Sequence, residues 1–396
     1  MDTGHTAARP LDEAYWATIR EFYTPCPEFI NFENGLFSPV AKPVMAEFER
    51  INQEVNREMA FYLRRRFPEL LQNVREDLAR FAGINLDELL ITKNATEALN
   101  ILIQGYPFKD GDEVIFGQHD HDSVVELLGL MCQRKRIIPK LLDPILMEYS
   151  NVELVELYER AITKRTKVII LTHMVHTTGQ ILPVAEISAM ARRHSVDVIV
   201  DAAHSFAQLN FQLPSLGADF IAVNLHKWLG APLGTGMLYI RRNRVVDIEP
   251  LFGDTLRKNE DILKLGHFGT ISPGPILAVS EAIKFHGRIG GLNKEARLRH
   301  LTEAWAKRAR AMSHIEMLTP TGSSRSCGIA AFRVKLWDSA NVVEYLFRSH
   351  KILTVDRKIG NGTGVRIVPH LYTTRDDIDR LVFALEEMKH PRVQRG

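Results

Sequence analysis

Residues 198–242 read VIVDAAHSFAQLNFQLPSLGADFIAVNLHKWLGAPLGTGMLYIRR, and this stretch indicates the architecture most directly. Three short apolar runs lie in or beside it, at 196–201, 219–224 and 237–242. Each run predicts a buried β-strand. Asp201 ends the first run, and Lys227 follows the second, just before the turn GAPLGTG. Ligands of open parallel sheets bind outside the carboxyl ends of the strands, so both side chains are candidates for a ligand site.

The alternation of strands and helices extends upstream to about residue 88. Strands are predicted at 88–92, 112–116 and 167–173, and helices at 95–106, 123–133 and 184–194. This order is typical of βαβ units and of a mainly parallel sheet. Beyond about residue 281 longer helices and a compact α+β end follow. We therefore expect a large α/β domain over 44–280 and a small α+β domain built from 1–43 and 281–396.

Composition limits the classes of function. The chain has 396 residues, of which 45% are hydrophobic and 25% charged, and a net charge of +2. Such a balance gives no reason to expect a nucleic-acid or membrane partner. The three cysteines form no CxxC pair, so neither a disulfide framework nor a structural zinc site is indicated. No secretory signal or membrane-spanning run is visible, and we expect a reducing, cytoplasmic setting.

Two local patterns point to chemistry. A lysine at a strand end in apolar, glycine-lined surroundings can be neutral enough to form a Schiff base, although Lys227 alone could be a surface lysine and Asp201 a helix cap. The segment TKNATEALN (92–100) places small and hydroxyl residues at a helix start, which suits phosphate. The same residues also suit plain capping by Asn94 or Thr96. GQHDHDSVV (117–125) lacks the HxHxDH pattern, so no metal site is expected.

VDAAH, HKW and GTG together resemble the signature of the class V aminotransferase family, which consists of fold-type I pyridoxal-phosphate (PLP) enzymes. The resemblance implies a mainly parallel seven-stranded sheet sandwiched by helices, plus a small α+β domain. It also implies that Asp201 pairs with the pyridinium nitrogen of PLP. Lys227 would hold the cofactor aldehyde and then act as the acid and base at the substrate Cα.

The resemblance assigns further positions of this sequence. It places Ala95, Thr96, Asn224 and His226 at the cofactor phosphate, His121 over the ring, and His176 and His204 near the phenolic oxygen. In HFGTISPG (267–274), Thr270 would reach the phosphate of a neighbouring subunit, which implies a homodimer with shared active sites. In the C-terminal segment, Arg366 would bind the substrate carboxylate as a planar fork, and Arg357 would line the entrance.

The cofactor leaves several reactions open. Residues 269–301 resemble the isopenicillin N epimerase-like branch, so epimerisation at Cα is the first hypothesis, with Lys227 on one face and His121 or a water on the other. A carbon–sulfur β-lyase and an aminotransferase are alternatives. Cysteine desulfurase is disfavoured, because 351–366 contains no cysteine to act as nucleophile. A non-catalytic or metal-binding protein on this fold is the alternative of another class.

Overall fold

A computed structural model describes residues 9–142, 149–254, 256–322 and 324–389. Its strands are β1 (Ile30–Asn31), β2 (Leu89–Thr92), β3 (Glu113–Gly117), β4 (Ile138–Leu142), β5 (Thr166–Thr172), β6 (Asp197–Asp201), β7 (Phe220–Asn224), β8 (Gly236–Ile240), β9 (Ile315–Met317), β10 (Ala330–Val334), β11 (Ile352–Leu353), β12 (Val355–Ile359) and β13 (Gly362–Ile367). Its α-helices are α1 (Glu13–Arg20), α2 (Lys42–Glu58), α3 (Phe67–Ala82), α4 (Ala95–Gly105), α5 (Asp122–Lys135), α6 (Asn151–Ala161), α7 (Val184–Arg193), α8 (Pro273–Leu277), α9 (Val279–Ile289), α10 (Gly291–Arg310), α11 (Ser339–His350) and α12 (Arg375–Glu387).

The main sheet has seven strands in the order β2-β8-β7-β6-β5-β3-β4. Strand β8 runs antiparallel to β2 and β7, and the other neighbours are parallel. The predicted mainly parallel seven-stranded sheet is therefore confirmed. Its central strands carry continuous apolar runs because helices cover both faces. Ile199 and Val200, which are neighbours on β6, accordingly enter separate hydrophobic clusters on opposite faces of the sheet.

The sequence did not lead us to predict two elements of this layer, strand β4 and helix α6. Strand β4 lies at the edge of the sheet, contains Pro139 and is largely accessible, so it lacks the apolar run of a buried strand. Helix α6 is signalled by a capping box, in which Ser150 and Glu153 satisfy each other's backbone N–H groups. The capping residues in the sequence could have predicted this helix. Strand β4, in contrast, becomes evident only from its pairing with β3.

The C-terminal part forms a separate antiparallel sheet in the order β12-β13-β10-β9, against which α10, α11 and α12 pack. Strand β1 pairs in parallel with β11, so the N-terminal segment joins this part of the molecule rather than the main sheet. The carboxylate of Glu13 on α1 also pairs with the fully buried guanidinium of Arg297 on α10. Among the described residues, none of the helices is both long and apolar enough to cross a bilayer.

Candidate active site

A cleft of about 380 Å³ opens at the carboxyl ends of β5, β6 and β7, beside the N-terminus of α4. This is where ligands bind in open α/β sheets. Eight of the predicted site residues line it: Ala95, Thr96, His121, His176, Asp201, His204, Asn224 and Lys227. The structure therefore brings together residues that lie far apart in the sequence.

Lys227 follows β7 and is the only lysine that lines the cleft in the described part of the chain. Its Nζ lies 2.8 Å from Nε2 of His204. Burial lowers the pKa of Lys227 to about 8, although the carboxylate of Asp201 opposes this effect. Burial also holds the pKa of His204 well below its usual value, with the positive charge of Lys227 adding to the effect. The histidine is therefore neutral and can accept a hydrogen bond from the lysine.

Asp201 is the last residue of β6 and is only 7% exposed. Its Oδ1 accepts a hydrogen bond of 2.8 Å from the N–H of Ala203, which orients the carboxyl group. Burial raises the pKa of Asp201, while the N–H of Ala203 and the charge of Lys227 act in the opposite direction. One oxygen is thus held by the backbone, and the other can pair with a protonated ring nitrogen of a ligand.

The start of α4 forms one end of the cleft. Asn94 caps this helix by accepting from the N–H of Glu97 at 2.8 Å, so the capping interpretation holds for Asn94. The N–H of Ala95 donates to Oδ1 of Asn224 at 2.8 Å. The Ala95 N–H is therefore already satisfied within the chain, and the predicted contact of Ala95 with the phosphate stays a prediction. The N–H of Thr96, its exposed hydroxyl and the amide of Asn224 remain as donors near the helix dipole.

Gly236, in the segment after Lys227, packs closely against the start of α4 at this end of the cleft. A Cβ atom at Gly236 would lie 2.6 Å from Cα of Asn94, far inside van der Waals contact. Only glycine lets the start of β8 approach the helix start so closely. The GTG segment therefore matters because of a backbone contact with a residue that is far away in the sequence.

Asn224→Ala tests the donor set at the helix start. We expect the affinity for a phosphate-bearing cofactor to fall about tenfold, since one side-chain donor is lost and the Ala95 N–H loses its acceptor. The dissociation constant for PLP, measured by fluorescence titration of the apoprotein, gives the result. Asn210→Ala, on the surface beside Gly291, is the matched control. An unchanged dissociation constant for the Asn224 variant would remove this residue from the phosphate site.

Three histidines line the side of the cleft. The rings of His121 and His176 have centroids 5.1 Å apart, and those of His176 and His204 are stacked at 6.4 Å. Nδ1 of His121 accepts from the N–H of Ser123 at 3.2 Å, which leaves the proton of a neutral ring on Nε2. Nδ1 of His176 and of His204 has no partner among the described residues. The cleft therefore offers ring nitrogens to a polar ligand.

The predicted substrate arginines lie next to the cleft and do not line it. Arg366 on β13 is 2% exposed, and its Nη1 donates to the carbonyl oxygen of His176 at 2.7 Å. Its Nη2 donates to Oε1 of Glu33. Arg357 on β12 contacts the same carboxylate oxygen at 3.4 Å. Arg366 is thus not an open guanidinium, because a carboxylate of the chain itself occupies part of its fork.

Two other predicted residues lie outside the cleft. Thr270 is exposed in the loop before α8, and its predicted contact with a neighbouring subunit stays a prediction. The ring of His226 is half-buried, and its Nδ1 lies 2.9 Å from the carbonyl oxygen of Thr235, away from the cleft-lining set. Its predicted phosphate contact also remains a prediction. Among the described residues, no cluster of histidine, cysteine, aspartate or glutamate could hold a metal ion.

Sequence reasoning missed Glu33 and Asp120. Asp120 is buried and accepts from the N–H of Gly117 at 2.7 Å and the hydroxyl of Thr172 at 2.6 Å. It thereby joins the ends of β3 and β5 at the cleft, and burial raises its pKa to about 6. An aspartate shortly after the carboxyl end of a predicted strand was a usable signal for Asp120. Glu33 carries no local signal, since its partners lie on β12 and β13.

Comparison with known proteins agrees with this geometry. The class-V aminotransferase family matches residues 35–381. Isopenicillin N epimerase from Streptomyces clavuligerus is 27% identical, with 95% of this chain and 98% of that protein covered. A probable cysteine desulfurase from Methanothermobacter thermautotrophicus is also 27% identical, with 88% of this chain and 91% of that protein covered.

The fold agrees as well. A solved structure of a C-DES variant, with glycine covalently linked to the PLP cofactor, superposes with a TM-score of 0.84 at 21% identity. The superposition covers 92% of this chain and 98% of the C-DES chain, and it confirms the fold-type I architecture. Since the family match runs from before α2 into α12 and includes both Asp201 and Lys227, the chain belongs to the class-V aminotransferase family.

Proposed function

We propose that this protein is a PLP-dependent enzyme that acts at Cα of an amino acid or amino-acid derivative, with epimerisation as its reaction. Family membership makes it a class-V PLP enzyme, and the cofactor is pyridoxal 5'-phosphate. The observation that carries the proposal is the pairing of two side chains in the cleft. Asp201 ends β6, Lys227 follows the adjacent strand β7, and burial lowers the pKa of Lys227. The isopenicillin N epimerase relative supports epimerisation.

The residues present fit this cofactor. Lys227 would hold its aldehyde carbon, Asp201 its ring nitrogen, and Thr96 with Asn224 its phosphate. His176 and His204 line the cleft, and their buried Nδ1 atoms have no partner among the described residues, which suits a ligand with polar atoms. When bound, PLP supplies an electron-accepting ring that stabilises negative charge developing at Cα.

The side chains of the cleft then divide the proton transfers. Nζ of Lys227 can take the proton from Cα and return it on the same face, and His204 orients that amine through its 2.8 Å contact. Epimerisation also requires a donor on the opposite face. His121 is our candidate, since its Nδ1 contact with Ser123 leaves an N–H at Nε2. Asp201 keeps a proton at the ring nitrogen, and Arg366 orients the substrate carboxylate.

The experiment is proton exchange at Cα in deuterium oxide with a panel of single-enantiomer amino acids. We expect deuterium incorporation together with conversion of one enantiomer into the other. Mass spectrometry measures the incorporation, and chiral chromatography measures the conversion. Exchange without inversion would contradict the epimerase proposal. An absorbance spectrum of the purified protein checks the cofactor independently, through a visible band that borohydride abolishes with a mass label on Lys227.

A carbon–sulfur β-lyase is the second candidate, favoured by the desulfurase relative, and it needs only Lys227 and a good leaving group. Release of pyruvate and a sulfur product from cysteine or cystine would favour it over epimerisation. Cysteine desulfurase chemistry has no support from the described cysteines. Cys26 and Cys132 do not line the cleft, and Cys327 is buried, which raises its thiol pKa to about 12. An aminotransferase would instead convert an added keto acid to an amino acid.

The rate at which the apoprotein binds PLP covalently should depend on pH with a midpoint near 8. Only the neutral amine attacks an aldehyde, and burial lowers the pKa of Lys227 to about 8. The rate should therefore rise from pH 6.5 and level off above about pH 9. Stopped-flow absorbance over pH 6.5–10.5 measures it, with free Nα-acetyl-lysine as the control. A midpoint above pH 10, as for an ordinary lysine, would contradict this assignment.

We also propose a homodimer in which Thr270 reaches the neighbouring active site, and the exposure of this residue supports the idea. Mass measurement in solution by light scattering tests the assembly. The division into a large domain over 44–280 and a small domain of 1–43 with 281–396 is likewise a proposal, supported by the pairing of β1 with β11. A cytoplasmic setting stays a prediction.

A further inference from the structure

The loop after β1 places a carboxylate between the two arginines next to the cleft. Glu33 forms an ion pair with Nη2 of Arg366, and its same oxygen lies 3.4 Å from Nη2 of Arg357. Arg366 is 333 residues away along the chain. The side chains of Arg366 and Glu33 are only 2% and 13% exposed, so water screens this pair weakly, whereas Arg357 is 34% exposed and is partly screened.

The backbone around Glu33 is held firmly against the C-terminal segment. Phe32 accepts from the N–H of Val368 at 2.7 Å, and the side chain of Asn34 donates to the carbonyl of Val368 at 2.8 Å. A Cβ atom at Gly35 would lie 2.9 Å from Cζ of Arg366, so glycine is needed for the guanidinium to lie against this loop. The contact between Glu33 and Arg366 is therefore built into the fold and is not a passing surface pair.

The cluster keeps unused hydrogen-bonding groups. Nε of Arg366, Nε of Arg357 and Oε2 of Glu33 are buried and have no partner among the described residues. Buried polar groups are normally satisfied by protein, water or ligand. Both arginines contact Oε1 of Glu33, and each keeps a free Nε–H donor, which indicates that a second acceptor group completes the cluster.

Charge counting identifies that group. Two guanidinium groups and one carboxylate leave one net positive charge in a poorly screened place. A single ligand carboxylate neutralises it, whereas two ligand carboxylates would leave a buried negative charge without a partner, which is costly. We propose that Glu33 is a specificity residue: it takes the place of a second substrate carboxylate and restricts this end of the site to substrates that bring one carboxylate. The inference rests on the proposed function, because it assumes that Arg366 receives the substrate.

Succinate and succinamate provide the test, since they have the same size and differ by one negative charge. Isothermal titration calorimetry on the PLP-loaded protein gives both dissociation constants for wild type and Glu33→Gln. We expect wild type to prefer succinamate, and Glu33→Gln to shift the ratio of the two constants toward succinate by at least tenfold. Glu33→Asp, which keeps the charge, is the matched control and should retain the wild-type preference.

The outcomes are decisive in both directions. If Glu33 only positions Arg366, Glu33→Gln will weaken both ligands and leave their ratio unchanged, which overturns the proposal. Wild type that binds neither ligand also overturns it. If Glu33→Gln does not fold, Arg357→Gln takes its place, because it removes the net charge and should weaken succinamate at least tenfold. Failure of the proposed function would appear separately, as the absence of a visible absorbance band after PLP is added to the wild type. Binding of succinate and succinamate can still be measured in that case.

Discussion

Lys227→Ala should reduce turnover by at least about 10³-fold, the upper part of the range for losing a positioned acid–base group. The variant loses the only cleft-lining lysine of the described residues, and with it the proton transfer at Cα. His204, at 2.8 Å from Nζ in the wild type, loses its partner. Turnover is measured by the proton-exchange assay, and borohydride treatment followed by peptide mass spectrometry should no longer label this segment.

The control for this variant is Lys284→Ala. Lys284 is 71% exposed and pairs with Glu281 on the surface of α9, so its loss should leave both turnover and labelling unchanged. Addition of small amines such as methylamine to Lys227→Ala should restore part of the activity, because a free amine can fill the vacated place. Substantial activity of Lys227→Ala without added amine would show that the catalytic assignment is wrong.

Asp201→Asn should have the second largest effect, a fall in turnover of about 10²-fold or more together with weaker retention of the cofactor. The amide keeps an oxygen that can accept from the N–H of Ala203, so the local fold is preserved. It carries no negative charge, however, and it cannot stabilise a proton on the ring nitrogen. A buried charge-assisted hydrogen bond is thereby exchanged for a neutral one of about half the strength.

Two measurements separate this electrostatic role from a structural one. Thermal unfolding of the apoprotein should change little for Asp201→Asn, since its shape and its bond to Ala203 persist. The visible spectrum and the dissociation constant of PLP should change clearly. Asp201→Ala, which also removes the bond to Ala203, should in addition lower the unfolding temperature. Wild-type turnover in Asp201→Asn would contradict the pairing with the ring nitrogen.

The parts of the molecule that were predicted correctly depend on local pattern. Apolar runs locate β6, β7 and β8, because strands covered on both faces must be apolar throughout. Asp201 stands at the carboxyl end of such a run and Lys227 shortly after one, where a parallel sheet binds its ligands, and both line the cleft. Their catalytic roles stay predictions. The helix start at Ala95 follows from its small residues and its cap at Asn94. These signals lie within a few residues of the features that they predict.

The parts that were missed depend on contacts across the fold. The N–H of Ala95 is satisfied by Asn224, which lies 129 residues away, so the local sequence around Ala95 does not reveal this partner. Edge strand β4 exists because β3 offers it backbone partners, although its own residues are half accessible. No pattern around Glu33 indicates that it meets Arg366. Charges that are far apart in the sequence meet only after the chain has folded. The spacing of residues near each charge therefore does not predict the pair.

The amino-acid sequence by itself indicated the family through the motifs VDAAH, HKW and GTG, and the main sheet through its apolar runs. It also made Lys227 and Asp201 the candidates for the reactive pair. The motifs carry the resemblance to the family, the apolar runs predict the strands, and the resemblance gives the two residues their expected roles. Only the tertiary structure decided which donors at the cleft are already satisfied and which carboxylate of the chain pairs with Arg366. The physical reason is that hydrogen bonds and local net charge depend on which groups lie close together in the folded chain. Here these groups come from segments near residues 33, 95, 201, 227 and 366.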